Sequence, residues 1–130
     1  MNKILLTLIY FIVIGFSGTA YPKEVLSGEQ VREALSGNTL EYLRKTKRVH
    51  VLVKPDGKLK AQMHGKKQKG KWHINDKGFW CRQWKNWLKG HEGCFEIVHV
   101  KEDDYEFRWK TGTGGSNISV KLLPGNAKEL

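Results

Sequence analysis

Apolar and polar residues alternate along much of the chain between residues 49 and 122. In residues 49–53 three valines occupy every second position, and in residues 58–64 Leu59, Ala61 and Met63 do the same. A period of two is typical of a strand with one buried face. Together with comparable segments, the pattern predicts seven strands, at residues 49–54, 58–64, 71–74, 79–84, 94–101, 105–110 and 117–122.

The first two predicted strands form a hairpin around Pro55-Asp56-Gly57. Proline suits the first corner of a type I turn, and glycine can take the left-handed position of a three-residue loop. This loop length brings the apolar residues of both strands to one face, whereas a two-residue loop would not. The predicted pairs are Lys54 with Lys58, Val53 with Leu59, Val51 with Ala61, and His50 with Gln62. A lysine-rich turn is predicted at residues 65–70.

A short helix precedes the strands. Ser27 and Gln30 have the spacing of a capping box, and Val31, Ala34 and Leu35 recur at three and four residues. Short antiparallel strands that follow one another must hide their edges, which closure does. The predicted fold is therefore mainly β: a short N-terminal helix, then an antiparallel meander of about seven strands forming a small barrel-like or strongly curved sheet. The helix is expected at one end of this sheet.

The first 20 residues have the layout of a signal peptide. Lys3 precedes an apolar run over residues 4–16, and small residues follow at 17–20. A retained membrane anchor is the alternative, but a run of 13 residues is shorter than the ~20 that span a bilayer. We therefore expect residues 1–20 to be removed, leaving a single β-rich domain at residues 21–130. The protein would be exported, periplasmic or secreted, with no transmembrane span in the mature chain.

Two cysteines, Cys81 and Cys94, lie in the mature part of the chain. An even number of cysteines in an oxidising compartment favours a disulfide. A metal pair or a reactive thiol finds no support among the neighbouring residues. Closing a loop of this length stabilises by roughly 3 kcal/mol in the chain-entropy model.

Positive charge is concentrated in the middle of the chain. The formal net charge is +10, and loss of Lys3 with the signal peptide leaves +9. Residues 44–91 hold 15 Lys and Arg against two Asp, while the segments on either side are each at −2. Such a concentration attracts anionic partners. Export makes nucleic acid an unlikely partner, so lipid head groups, acidic glycan or an acidic protein at the cell envelope are expected.

Several short motifs resemble a family of small exported bacterial domains whose function is unknown. They are Leu-Ser-Gly-Asn-Thr-Leu at 35–40, Pro55-Asp56-Gly57, Gly70-Lys71-Trp72, Cys81 with Trp84, Cys94, and Pro124-Gly125-Asn126. The resemblance covers nearly the whole mature chain. It implies export, the disulfide and a β-rich fold, and it supplies neither an activity nor functional residues.

The hairpin register predicts a basic face on the sheet, to which His50, His64 and His73 also contribute. The predicted ligand-binding residues are Lys54, Lys58, Lys60, Lys66, Lys67, Lys69 and Lys71, with Trp80, Trp84 and Trp87 as stacking partners. Basic and aromatic side chains together hold sugars, lipids or unpaired bases. The alternative is that the lysines only solubilise the barrel and the tryptophans fill its core.

Motifs for chemistry are missing from the sequence. The five histidines have no metal-ligand spacing, and no nucleophile motif or phosphate-binding loop is present. We therefore predict a non-enzymatic binding module with no metal and no cofactor. Three alternatives remain: a barrel that carries an apolar ligand, an inhibitor or accessory factor of another exported protein that inserts the loop at residues 85–93 into its partner, and an enzyme whose site is assembled from distant residues.

Overall fold

The structure is a computed structural model that describes residues 22–130. The predicted signal peptide, residues 1–20, lies outside the described residues. Within residues 22–130, no helix is both long and apolar enough to cross a bilayer.

One helix and nine strands make up the described chain, and eight of the strands close into an antiparallel barrel. Helix α1 spans Gly28–Leu35. The strands are β1 (Glu24–Val25), β2 (Thr39–Arg44), β3 (Lys47–Val53), β4 (Lys58–Met63), β5 (Lys66–Ile74), β6 (Trp80–Trp84), β7 (Glu92–Lys101), β8 (Asp104–Gly112) and β9 (Ile118–Leu123). Strands β2 to β9 pair in order, and β2 also pairs with β9, which closes the barrel. The predicted fold class is confirmed.

The register of the β3–β4 hairpin is confirmed residue by residue. Val53 lies opposite Leu59, Val51 opposite Ala61, and His50 opposite Gln62. The Lys54 N–H donates to the carbonyl of Lys58 at 3.0 Å. Gly57 takes the left-handed backbone conformation that the loop requires, with φ 89°. The hydrophobic pattern therefore decides the pairing, because a shift of one residue would turn the valines outward.

Two of the nine strands, β1 and β2, were not among the seven predicted. Strand β1 has two residues, too few to show a period. Strand β2 has Leu40 buried and Leu43 exposed on its opposite face, which blurs the alternation, and its Glu, Leu and Arg residues have a weak β preference.

The predicted lysine-rich turn at residues 65–70 is wrong, because β5 begins at Lys66. The turn consists of His64 and Gly65 alone, both in the left-handed region, with φ 51° and 76°. This is the backbone that a tight two-residue hairpin favours. The alternation in β5 was hidden because its inward positions include Gln68 and Gly70 instead of large apolar residues. A Cβ on Gly70 would lie 2.7 Å from the ring of Trp84, so the tryptophan fills that space.

Helix α1 covers one end of the barrel. Its Ser27–Gln30 capping box is present, and Val31 and Leu35 are fully buried in the core. The Gly37 N–H bonds the carbonyl of Val53 at 2.6 Å, and the Arg32 guanidinium lies 5.3 Å from the centre of the Trp72 ring. We call this the closed end. The opposite, open end is formed by the turns at residues 45–46 and 64–65 and the loops at residues 85–91 and 113–117.

The predicted disulfide is present and joins Cys81 to Cys94. The two cysteines lie directly opposite each other on β6 and β7. Both are buried although they point away from the barrel interior. The link therefore fixes the two strands that carry the loop at residues 85–91.

Candidate functional site

Six lysines share the outer surface of the sheet around β4 and β5. We call this set the lysine face; its members are Lys54, Lys58, Lys60, Lys67, Lys69 and Lys71. Their side chains alternate with the inward residues of the same strands, as Leu59 and Ala61 do on β4. The structure therefore brings together six of the seven lysines that the sequence predicts as contacts. Lys66 differs, because it shares the parity of the inward residues and is exposed at the open end.

The register places like charges directly opposite each other on the lysine face. Lys58 pairs with Lys71, and Lys60 pairs with Lys69. Within residues 22–130, these four lysines and Lys67 have no carboxylate within 4.0 Å. The acidic residues at the margin are already paired: Asp56 with Lys54 at 3.8 Å, Glu92 with His73 at 3.6 Å and Glu41 with His50 at 2.8 Å. The positive charge at the centre of the face is therefore not neutralised.

A shallow depression lies at the edge of the lysine face. Its lining includes Lys58, Lys69, Lys71 and Lys85. Lys85 was missed by the sequence analysis, which placed it in a loop. The Lys85 N–H donates to the carbonyl of Lys69 at 2.9 Å, which continues the β5–β6 ladder by one residue. Extending the alternation of β6 past Trp84 would have found it.

The tryptophans predicted to stack beside the lysines do not lie on the lysine face. Trp80 and Trp84 point into the barrel and are 3% and 4% exposed, so they are on the opposite side of the sheet from the lysine face. Their shared parity left both orientations open, and the inward one applies because the barrel core needs large apolar side chains. Trp87 lies in the loop at the open end, where its ring packs edge-on against that of Trp84 with 5.2 Å between the ring centres.

These three tryptophans instead line a cavity at the open end. It has a volume of about 890 Å³ and also reaches residues on the outer surface, such as Glu41 and Lys121, so the interior part is smaller. Pairing between β2 and β9, which we call the seam, stops at Glu41 and Lys121. Residues on both sides of the seam line the cavity, among them Tyr42 of β2 and Val120 of β9.

Arg82 is a buried charged residue in the wall of this cavity. It lies between Trp80 and Trp84 on the inward face of β6 and is 7% exposed. Burial lowers the pKa of the Arg82 guanidinium, which still stays charged at neutral pH. Burial also raises the pKa of Tyr42, whose hydroxyl therefore stays protonated. The cavity thus combines aromatic walls with a fixed positive charge.

One group of potential metal ligands occurs among residues 22–130. It comprises His73, Cys81 and Glu92, whose ligand atoms lie within 4.8 Å of one another. Cys81 is bound in the disulfide, so its sulfur is not a thiolate ligand. Two remaining side chains fall short of the three protein ligands of typical catalytic zinc sites.

Comparison with protein-family models, with curated proteins and with solved structures found no match to this chain. The resemblance to a family of small exported domains therefore remains an expectation from the sequence.

Proposed function

We propose that this protein is an exported, non-enzymatic binding module whose lysine face binds anionic groups at the cell envelope. Lipid head groups, acidic polysaccharide and an acidic protein are the candidate partners. One observation carries the proposal: Lys58 and Lys60 lie opposite Lys71 and Lys69, with no carboxylate of residues 22–130 within 4.0 Å of them.

Such an arrangement is unfavourable for folding alone. Like charges directly opposite each other in a sheet destabilise by up to about 1 kcal/mol per pair. Lysine often protects exposed sheet edges from aggregation, but β4 and β5 each have a partner strand on both sides and present no edge. A bound anion relieves the repulsion, so a binding role accounts for lysines that edge protection does not explain.

Charge, and not stacking, is the expected mode of binding. Of the three tryptophans predicted to stack, Trp80 and Trp84 point into the barrel and Trp87 lies in the loop at the open end. Interactions between exposed charges are screened over about 10 Å at 0.1 M salt. Binding through the lysine face should therefore weaken steeply as salt rises.

Export is supported by two observations. The N-terminal segment has the layout of a signal peptide, and a disulfide of this kind persists in oxidising compartments. The envelope offers anionic lipids and acidic polysaccharides, which suit the charge of this face.

The test is a binding series of the oxidised protein with anionic vesicles, neutral vesicles and a soluble acidic polysaccharide, from about 0.05 to about 0.5 M NaCl. One variant changes Lys58, Lys60, Lys69 and Lys71 to Gln. A matched control changes Lys77, Lys89, Lys101 and Lys128 to Gln. It removes the same charge at positions that lie outside the lysine face and have no ion pair with another described residue.

We expect salt-sensitive binding to at least one anionic probe, lost in the first variant and retained in the control. The probe that binds identifies the class of partner. Equal weakening in both variants would show that net charge alone attracts the probe, and absence of binding to every probe would refute the proposal.

A further inference from the structure

Two buried hydrogen-bond donors have no partner among residues 22–130. They are Arg82 Nη1 and Trp80 Nε1. Both side chains are on the inward face of β6, two residues apart, and both line the cavity at the open end. Buried polar groups in folded proteins are nearly always paired, and an unpaired one is costly. Both atoms are enclosed, so an acceptor from outside reaches them only when a neighbouring side chain moves, and their coincidence in one cavity wall points to such a place.

The Arg82 guanidinium is held in position by the protein. Its Nη2 donates to the carbonyl of Thr113 at 3.0 Å, and its Cζ lies 5.4 Å from the centre of the Phe95 ring. Gly93 and Gly114 leave space for it, because a Cβ on either residue would lie 2.6 Å from a guanidinium nitrogen. One nitrogen is thus anchored, and the other is left to bind.

The surroundings of this nitrogen favour a negative charge, because a second cation, Arg44, lines the same cavity and repels Arg82. No carboxylate lies within 4.0 Å of Arg82 among the described residues. Around the cavity, Met63, Trp87, Leu88 and Ile118 supply half-buried apolar surface. Deeper residues such as Val51 and Phe95 are tightly buried, so a long chain would find no room.

We propose that the open end of the barrel binds a small apolar monocarboxylate. Its two oxygens accept hydrogen bonds from Arg82 Nη1 and Trp80 Nε1, and its apolar part lies against Trp87 and Leu88. A carboxylate has one oxygen for each of the two donors, whereas a phosphate monoester brings a third oxygen and a second charge to the same apolar surroundings. This site is separate from the lysine face, and the inference does not depend on the proposed function.

The experiment measures calorimetric binding of octanoate, 1-octanol and octyl phosphate to the full chain. The three probes share one apolar chain and differ in the head group. Arg82→Met removes the charge and keeps an apolar side chain of similar length. Trp80→Phe removes the indole N–H and keeps an aromatic ring. Arg32→Met, in helix α1 at the closed end, is the matched control for loss of an arginine.

We expect octanoate to bind more tightly than either other probe. Hydrogen bonds to charged groups predict a loss of roughly 10- to 100-fold in octanoate affinity for Arg82→Met, a smaller loss for Trp80→Phe, and none for Arg32→Met. Octanol affinity should change little in any variant. The lysine-face variant should bind octanoate as the unmodified protein does, which separates this site from the proposed function.

Several outcomes would overturn the inference. Equal affinity for octanoate and octanol would mean that the free donors bind water only. Unchanged octanoate binding in Arg82→Met would place the head group elsewhere, and a preference for octyl phosphate would exclude the monocarboxylate. If Arg82→Met does not fold, as judged by near-UV circular dichroism, Trp80→Phe decides: octanoate affinity equal to that of the unmodified protein would refute the assigned contact.

Discussion

Trp72 and Trp80 are both buried inside the barrel, yet their indole N–H groups differ in hydrogen bonding. Trp72 Nε1 donates to the carbonyl of Lys54 at 2.8 Å at the closed end, while Trp80 Nε1 is buried without a partner among residues 22–130. Neighbouring groups show the same contrast. At the closed end, Asn38 Nδ2 donates to the carbonyl of Ala34 at 2.7 Å and helix α1 has a complete capping box. In the cavity wall, Arg82 Nη1 has no hydrogen bond within the described part of the chain.

Left-handed backbone is more frequent at the open end. Leu88 and Lys89, in the loop there, have φ values of 55° and 57°, and Lys45 and His64 lie in its turns, whereas Glu102 and Glu129 lie outside it. This conformation is unfavourable for residues other than glycine by roughly 1–2 kcal/mol each. Departures from local rules tend to collect at functional sites. The closed end is thus arranged for stability, and the open end keeps unsatisfied groups that a ligand can use.

The largest effect should come from the closed end. Leu35 of helix α1 is fully buried in the core, so Leu35→Ala should lower the free energy of unfolding by about 2–5 kcal/mol. Urea unfolding followed by tryptophan fluorescence measures this. Octanoate affinity of the folded variant should stay unchanged, because the cavity is at the other end. A large loss of octanoate affinity would show that the two ends are not independent.

At the open end, removal of a buried polar group should have the opposite sign. Arg82→Met replaces an incompletely bonded buried cation with an apolar side chain. Relief of the buried charge should outweigh loss of the hydrogen bond to the Thr113 carbonyl, so the free energy of unfolding should rise by about 1–2 kcal/mol. The same urea titration measures it in the absence of any ligand. A loss of stability of similar size would show that water already satisfies the guanidinium, and the contrast between the ends would disappear.

The tryptophan pair isolates the hydrogen bond. Trp72→Phe and Trp80→Phe remove the same atoms from similarly buried sites, which are 4% and 3% exposed. Only the first substitution removes a hydrogen bond that is made in the structure, and the Lys54 carbonyl then keeps its bond from the Gly57 N–H at 3.1 Å alone. Trp72→Phe should therefore be less stable than Trp80→Phe by about 1 kcal/mol. Equal stabilities would mean that Trp80 Nε1 is bonded as well as Trp72 Nε1 is.

Sequence predicts the parts of the fold in which local chemistry and burial agree. The β3–β4 register followed from the valines and the Pro55-Asp56-Gly57 loop, and helix α1 followed from its capping box. Strand β5 was predicted to start late because Gln68 and Gly70 occupy inward positions, and only the neighbouring Trp84 explains the glycine. Long-range contacts of that kind are invisible in a single sequence.

The two candidate sites also differ in how far they could be predicted from the sequence. The lysine face was predicted because its residues are close in sequence, but Lys67 and Lys69 were assigned to a turn and only the other four were placed by alternation with apolar residues. The cavity was missed because Arg82 was counted only as one of many basic residues. Its parity with Trp80 and Trp84 was visible, and placing the tryptophans in the core would also have placed Arg82 there. Which parity faces inward depends on closure of the whole barrel.

The smallest predicted effect concerns Glu41, the last residue of β2 that pairs with β9 before the seam reaches the cavity. Its carboxylate lies 2.8 Å from His50 and 3.4 Å from Arg48. The hydrogen bond from His50, aided by the charges of His50 and Arg48, lowers the pKa of Glu41. A carboxyl with a lowered pKa contributes stability above its unfolded-state pKa, and that contribution is lost as the pH falls through the folded-state pKa.

Glu41→Gln should therefore reduce the free energy of unfolding at neutral pH by less than about 1 kcal/mol. The difference from the unmodified protein should shrink toward zero as the pH falls below the usual range of glutamate. Urea titrations of both proteins at neutral and acidic pH measure it, with Glu29→Gln in the exposed first turn of helix α1 as control. A difference that grew with acid would mean that folding disfavours the charged carboxylate. The contact between β2 and β9 would then hold a group without adequate hydrogen bonds, as the cavity does. Such groups would not be confined to the open end but would also occur in the barrel wall.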